Sequence, residues 1–191
     1  MSVVCGVIKN GQVAISCDTQ TSFGSIVVSA QYHKNCNKLF SVNGSVMGMV
    51  GWNAINDIME HLMKHDKKLF KLSNRMEIFD TLLKLHNKMK EDYFIETSDD
   101  NEEQPVETNQ LSALIVNQHG LFEISDYREV NEFTQFWAIG SGRRFALGAM
   151  HAVFDSDLSA KQIAEAGVKA SCEFCDGCSL PIKSKVIKLK S

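Results

Sequence analysis

Strand-forming and helix-forming segments occur in separate runs along the chain, and their order restricts the fold more than any other feature. The order is strands, two helices, strands, two helices and a final strand. Separate runs favour α+β layering, because parallel βαβ units would need strands and helices to alternate one by one. The sequence therefore predicts two antiparallel sheets between helical layers.

Turn dipeptides divide the first strands. Asn10-Gly11 separates the β-rich residues 3–8 from residues 13–17, and this dipeptide is a strong signal for a two-residue hairpin. Asn43-Gly44 predicts a second hairpin. The further predicted strands cover residues 38–42, 45–50, 111–116, 121–124, 136–139 and 182–189.

Apolar residues at spacings of three and four predict four helices. The first covers residues 54–65, and Asn74 with Glu77 caps the second, whose apolar stripe ends at Met89. The third covers residues 145–154, and Ser159 with Gln162 forms a capping box for the fourth, which reaches about Phe174. Residues 96–107 are acidic and poor in apolar residues, which predicts an exposed loop rather than a domain boundary.

The composition limits the class of protein. A chain of 191 residues with 44% hydrophobic content suits one domain over residues 1–191. The net charge of -3 gives no electrostatic case for nucleic acid. No apolar run is long enough for a membrane span and the start lacks a secretion signal, so we expect a cytoplasmic protein with no membrane partner. Six cysteines in such a chain are expected to be reduced thiols.

The first hairpin brings two reactive side chains close together. Residues paired across Asn10-Gly11 have numbers that sum to 21, so Asp18 lies opposite Val3 and Ser2 lies opposite Thr19. Strict alternation would point the Ser2 and Asp18 side chains to opposite faces. A shared site therefore requires the second strand to bend or bulge near Thr19.

Ser2 can carry both halves of a nucleophilic site. If Met1 is removed, Ser2 gains a free α-amine with an ordinary pKa of about 7.7–8.0, which can accept the hydroxyl proton. A carboxylate and an ammonium can orient such a unit, and Asp18 with Lys34 or Lys38 supplies them. The residues alone favour a simpler interpretation, an ordinary terminal hairpin in which Asp18 and a lysine form a surface ion pair.

Cysteine spacing offers a competing interpretation. Cys172, Cys175 and Cys178 have the C-x₂-C-x₂-C spacing of part of an iron–sulfur ligand set, but no fourth cysteine lies nearby. The six histidines show no ligand spacing. We therefore predict thiols at a helix end, no metal and no cofactor.

Several segments resemble one family across nearly the whole chain. They are residues 2–11, 13–18, Lys38-Leu-Phe, Gly48-Met-Val-Gly51 and, above all, residues 136–153 around Gly140-Ser141-Gly142. The chain resembles the proteasome β-subunit and HslV-like family of N-terminal nucleophile (Ntn) hydrolases, most closely the betaproteobacterial type of bacterial proteasome homologue. The resemblance implies the four-layer αββα sandwich of these hydrolases.

The resemblance also implies roles for individual residues. Ser2 corresponds to the terminal threonine nucleophile, Asp18 to the orienting carboxylate, Gly51 to the glycine whose N–H stabilises the oxyanion, and Ser141 to the serine that binds the terminal amine. Counting from Asp18 points to Lys34 as the catalytic lysine, whereas the Lys-Leu-Phe pattern and its distance to Gly51 point to Lys38, which we prefer. Glu173 or Asp176 corresponds to a second acidic residue.

The implied activity is cleavage of peptide bonds through an acyl-enzyme on Ser2 after removal of Met1. The implied assembly is a homo-oligomeric ring, with a double ring and an ATP-dependent unfoldase as further family features, and the substrates are unfolded polypeptides or peptides. The alternative is an inactive proteasome-fold ring scaffold or binding protein, in which Met1 is retained or Ser2 is too weak a nucleophile. Serine lacks the methyl group that restricts the rotamer of threonine, so a slower or differently selective enzyme is expected.

Overall fold

The strands of the protein form two large sheets and one small hairpin. The computed structural model describes residues 2–98 and 105–190. Its strands are β1 Val3–Lys9, β2 Gln12–Cys17, β3 Thr21–Phe23, β4 Ile26–Val28, β5 Leu39–Val42, β6 Ser45–Val50, β7 Ser112–Asn117, β8 Gly120–Ile124, β9 Val130–Phe133, β10 Phe136–Gly140 and β11 Lys183–Lys188. Its α-helices are α1 Asn53–His65, α2 Arg75–Tyr93, α3 Arg143–Val153 and α4 Ala160–Phe174.

Both large sheets are antiparallel. One has the strand order β10-β1-β2-β11 and the other the order β5-β6-β7-β8-β9. Lys9 pairs with Gln12, and Val42 pairs with Ser45, which confirms the two hairpins predicted at the Asn-Gly dipeptides. The small hairpin β3-β4 stands apart from both sheets.

Three apolar clusters define four layers. Helices α1 and α2 pack on the outer face of the five-stranded sheet through residues such as Met59 and Leu82. Helices α3 and α4 pack on the four-stranded sheet through Met150 and Val168. The third cluster, which includes Ile15, lies between the two sheets. The fold is the predicted α+β four-layer αββα sandwich, because every sheet face is covered either by helices or by the other sheet.

Side-chain caps begin two of the helices as predicted. The Asn74 side chain accepts hydrogen bonds from the backbone N–H groups of Met76 and Glu77, and Ser159 forms a complete capping box with Gln162. Such caps satisfy amide donors that the first helical turn leaves without partners. None of the described helices combines the length and apolar character required to cross a membrane.

Three strands were not predicted from the sequence: β3 and β4, which form the small hairpin, and β9. Phe23 and Ile26 of the small hairpin are 59% and 65% exposed, so it lacks the alternation of buried and exposed residues that identifies a strand. In the predicted acidic loop, residues 96–98 and 105–107 have no regular secondary structure. Residues 99–104 of that loop lie outside the described part of the chain.

Candidate active site

Ser2 lies at the start of β1, the strand that pairs with both β10 and β2. It is only 5% exposed. Its backbone N–H donates to Ser141 Oγ at 3.2 Å, while its carbonyl oxygen accepts from the Ser141 hydroxyl at 3.3 Å and from the Gly142 N–H at 3.3 Å. The turn between β10 and α3 thus holds the main chain of Ser2 on two sides.

Close approach to Ser2 requires glycine in this turn. Gly140 has φ +93°, a conformation that side chains rarely adopt. A Cβ at this position would lie 2.2 Å from the Ser2 carbonyl oxygen. Gly140 therefore allows the turn to deliver Ser141 and Gly142 to Ser2.

Asp18 lies one residue beyond the end of β2. Its N–H still donates to the Val3 carbonyl at 3.3 Å, which is the predicted register. The next residue, Thr19, turns away and donates to Ser179 instead. The strand therefore ends where the sequence required a bend, and the Asp18 carboxylate reaches back to accept from the Val3 N–H at 2.9 Å.

The Asp18 carboxylate is fully buried and has four donors. Oδ1 accepts from Val3 N–H and from Lys38 Nζ at 2.7 Å, and Oδ2 accepts from the N–H groups of Gln20 at 2.9 Å and Ser179 at 3.4 Å. Lys38 is itself only 6% exposed. Charge pairing and multiple hydrogen bonds are what allow a carboxylate to remain in such a place.

The two candidate lysines have different surroundings. Lys38 pairs with Asp18 and lines the same cleft as Ser2. Lys34 is exposed and lines a separate groove with His33 and Lys64. The geometry therefore brings Lys38, and not Lys34, to the carboxylate.

Gly51 lies where two clefts meet at Ser2. It follows β6 with φ +111°, and both clefts are lined by Ser2, Gly51 and Trp52. One cleft, of about 660 Å³, continues past Gln20 and Lys38. The other, of about 590 Å³, continues past Ser141 and Arg143. An extended chain could therefore occupy space on both sides of Ser2.

Burial raises the pKa of two thiols near the site. Burial raises the pKa of Cys17 to about 12, although the nearby Lys38 acts in the opposite direction. Burial likewise raises the pKa of Cys172 to about 11. Thiolates are the metal-binding form of cysteine. Among residues 2–98 and 105–190, no three His, Cys, Asp or Glu side chains are arranged to hold a metal ion.

The segment after α4 contacts both halves of the site. The Cys175 thiol donates to Ser141 Oγ at 3.6 Å, and the Asp176 carbonyl oxygen accepts from Gln20 Nε2 at 2.8 Å. Within the described residues, the carboxylates of Glu173 and Asp176 form no hydrogen bond or ion pair with Ser2 or Ser141. Their role as a second acid stays a prediction. Sequence analysis missed Cys175 as a neighbour of Ser141, because the spacing of Cys172, Cys175 and Cys178 indicated only thiols at a helix end.

The arrangement combines a hydroxyl, a buried ammonium–carboxylate pair and a strand terminus within one small region. A serine whose own nitrogen becomes a free amine would hold nucleophile and base in one residue. Met1, whose removal this chemistry requires, lies outside the described residues.

Comparisons with known proteins agree on one family. The sequence profile described as "Proteasome subunit" matches residues 2–187. The structure of BPH from Thiobacillus denitrificans in complex with epoxomicin has a TM-score of 0.90 and 32% identity over 99% of this chain and 100% of that one. A second structure of the same protein has a TM-score of 0.92 and 33% identity over 98% of each chain.

A more distant structure shares the fold alone. HslV from Trypanosoma brucei has a TM-score of 0.69 and 20% identity, over 97% of this chain and 99% of that one. No curated protein sequence gives a significant match.

Proposed function

The chain belongs to the proteasome subunit family, a family of Ntn-type peptidases, and we propose that it cleaves peptide bonds with Ser2 as nucleophile after removal of Met1. The observation that carries this proposal is the buried 2.7 Å ion pair between Lys38 and Asp18, whose carboxylate also accepts from the N–H of the residue after Ser2. A buried pair of this kind is costly unless it is well hydrogen-bonded. Because the pair lies beside the proposed nucleophile, we infer that its ammonium acts on the Ser2 hydroxyl.

In the proposed reaction, the Ser2 α-amine accepts the proton of the Ser2 hydroxyl as Oγ attacks the peptide carbonyl carbon. The Lys38 ammonium lowers the pKa of the hydroxyl, and Asp18 holds the ammonium in place. The N–H of Gly51 donates to the oxyanion of the tetrahedral intermediate. The amine then protonates the leaving nitrogen, and water hydrolyses the ester on Ser2 with the same amine as base.

The clefts on either side of Ser2 support a peptide substrate. One would accommodate the segment that remains on the enzyme as the acyl group, and the other would accommodate the leaving segment. Because the similar BPH structure holds epoxomicin, we expect epoxomicin to bind this protein at Ser2 as well. No cofactor is required by these steps.

We further propose a cytoplasmic homo-oligomeric ring that admits unfolded polypeptides or peptides. Family membership supports ring formation. A double ring and an ATP-dependent unfoldase remain proposals on the same ground. Nucleic acid is not proposed as a partner, since the net charge is -3, and a membrane is not proposed, since no apolar run is long enough for a span.

Intact mass and peptide hydrolysis together test the proposal. We expect the purified chain to lack Met1 and to hydrolyse fluorogenic peptides, and we expect Ser2→Ala to lose at least about a hundredfold in rate, as expected when a nucleophile is removed. Ser16→Ala is the matched control, because Ser16 lies in the same hairpin but bonds Ser184 Oγ at 2.9 Å. Equal activity of Ser2→Ala and the control would reject Ser2 as nucleophile, and Met1 retained in every molecule would favour the inactive scaffold.

A further inference from the structure

The Ser141 hydroxyl uses its full hydrogen-bonding capacity. It donates its one proton to the Ser2 carbonyl oxygen at 3.3 Å. It accepts from the Ser2 nitrogen at 3.2 Å and from the Cys175 thiol at 3.6 Å. A hydroxyl has one proton and two lone pairs, so these three contacts leave it no further choice of orientation.

A second cysteine, Cys178, lies in the same turn as Cys175 and helps to hold it in place. Cys178 is 4% exposed, and burial raises the pKa of its thiol, which therefore stays protonated. Its N–H donates to the Cys175 carbonyl oxygen at 3.2 Å, which holds the two residues in one turn. Among the described residues, the one hydrogen bond of the Cys175 thiol is the one that it donates to Ser141 Oγ.

We propose that Cys175 is a positioning residue for the Ser2 reaction, because its S–H occupies one lone pair of Ser141 Oγ and thereby keeps the Ser141 proton on the Ser2 carbonyl. Ser141 then accepts from the Ser2 amine and does not donate to it. The lone pair of the amine stays available for the proton of the Ser2 hydroxyl. This inference rests on the proposed function, but it concerns a residue to which the family resemblance assigned no role.

Loss of the Cys175 thiol would reverse the direction of the hydrogen bond between Ser141 and the Ser2 amine. In Cys175→Ala, the Ser141 hydroxyl can rotate and donate to the amine nitrogen. A hydrogen bond to the neutral amine lowers its pKa and occupies the lone pair that must accept a proton. We expect kcat to fall about three- to tenfold, the effect of one neutral hydrogen bond, with KM changed less than about twofold.

The experiment compares Cys175→Ala, Cys175→Ser and the matched control Cys172→Ala, all prepared with Ser2 exposed by cleavage of an amino-terminal fusion. Cys172 lies on the last turn of α4, one turn before Cys175, and is likewise partly buried. Two quantities are measured: kcat and KM for a fluorogenic peptide, and the pKa of the Ser2 amine from the pH dependence of its acylation by acetic anhydride. We expect Cys175→Ser to retain wild-type values, since its hydroxyl also donates, and Cys172→Ala to match the wild type.

Each outcome decides the inference. The same amine pKa and kcat in Cys175→Ala and Cys172→Ala would overturn it, and so would equal impairment of Cys175→Ser and Cys175→Ala. If no variant hydrolyses peptide, the proposed function fails, whereas the amine pKa still tests the positioning role. Thermal unfolding checks that each variant is folded, and Cys175→Val, which keeps volume and removes the donor, replaces an unfolded Cys175→Ala.

Discussion

At the scale of single residues, Asp18 and Lys38 form a buried ion pair in which each charge depends on the other. Both charges are removed from water, and their desolvation is offset by the ion pair and by three backbone donors to Asp18. Removing one partner would leave the other charge buried alone. The pair therefore connects the stability of the fold to the proposed chemistry at Ser2.

Replacement of Asp18 should affect both stability and activity. We expect Asp18→Asn to lower the free energy of unfolding by about 3–5 kcal/mol, because Lys38 loses its counter-charge. Peptide hydrolysis should fall as well, since the ammonium is no longer held. Chemical denaturation and peptide kinetics measure the two effects.

The double variant Asp18→Asn/Lys38→Met separates these two effects. It removes both charges, so we expect it to regain most of the lost stability while staying inactive. If the double variant is no more stable than Asp18→Asn, then lost hydrogen bonds, and not the unpaired charge, account for the stability that Asp18→Asn loses. Recovered activity would contradict the role proposed for Lys38.

The sequence alone could not predict the directions of the side chains at the site. The hairpin register placed Asp18 opposite Val3, and the structure has this contact. The choice between Lys34 and Lys38 could not be made by counting, because it depends on how the chain between β4 and β5 folds back on Asp18. The contact between Cys175 and Ser141 joins residues 34 positions apart, and no local pattern encodes it.

At the scale of elements, a charged cluster ties the end of the acidic loop to helix α2. The Glu107 carboxylate accepts from His86 Nε2 at 2.9 Å and from Lys90 Nζ, and Arg128 bonds His86 Nδ1 at 3.0 Å. Arginine has only donors, so Nδ1 of His86 accepts from Arg128 while Nε2 donates to Glu107. Thr108 and Tyr127, adjacent to this cluster, line the cleft at Ser2. The cluster therefore supports one wall of that cleft.

The cluster predicts a pH dependence of stability. Hydrogen bonds from Lys90 and His86 lower the pKa of Glu107 to about 2. Since the folded pKa is below the ordinary value of 4.5, the stabilisation is present above about pH 4.5 and is lost as the pH falls towards 2. We expect Glu107→Gln to lower the melting temperature at pH 6, with a difference from wild type that shrinks in acid.

The control for this measurement is Glu91→Gln. Glu91 is an exposed glutamate on helix α2, which also carries His86 and Lys90, and it forms no ion pair with any described residue. Its substitution should leave the pH profile of melting unchanged. A Glu107→Gln profile parallel to wild type down to pH 2 would show that the cluster does not contribute to folding.

Element prediction succeeded where the signals were local. Both Asn-Gly hairpins and the caps at Asn74 and Ser159 depend on residues within a few positions of each other. Strand β9 pairs with β8 and has exposed residues in its middle, so its identity depends on a neighbouring strand rather than on its own pattern. The β3-β4 hairpin is similar, because its apolar residues face outward.

At the scale of the whole molecule, the site lies at the rim of the sandwich. Val3 belongs to the cluster under α3 and α4, while Val4 belongs to the cluster between the sheets, so Ser2 precedes the strand that joins the two cores. A rim site is open in a single chain. Confinement of hydrolysis to unfolded substrates would therefore depend on assembly, which exposed apolar surface on the helical layers can drive.

An aromatic pair on the outer layer is where we expect assembly to be sensitive. Phe145 and Phe174 are 42% and 69% exposed, and their ring centroids lie 5.9 Å apart. Phe145 lies in the first turn of α3, four residues after Ser141, so a neighbouring subunit packed here would also cover the site. We expect Phe174→Ser to shift the sedimentation of the oligomer towards single chains at low concentration and to reduce peptide hydrolysis in parallel.

The matched control is Phe94→Ser. Phe94 is 87% exposed and lies after α2 on the opposite helical layer, so its substitution should leave the oligomer intact. Dissociation by Phe94→Ser but not by Phe174→Ser would place the assembly contact on the other layer, and a wild-type protein that sediments as a single chain at all concentrations would contradict the ring itself.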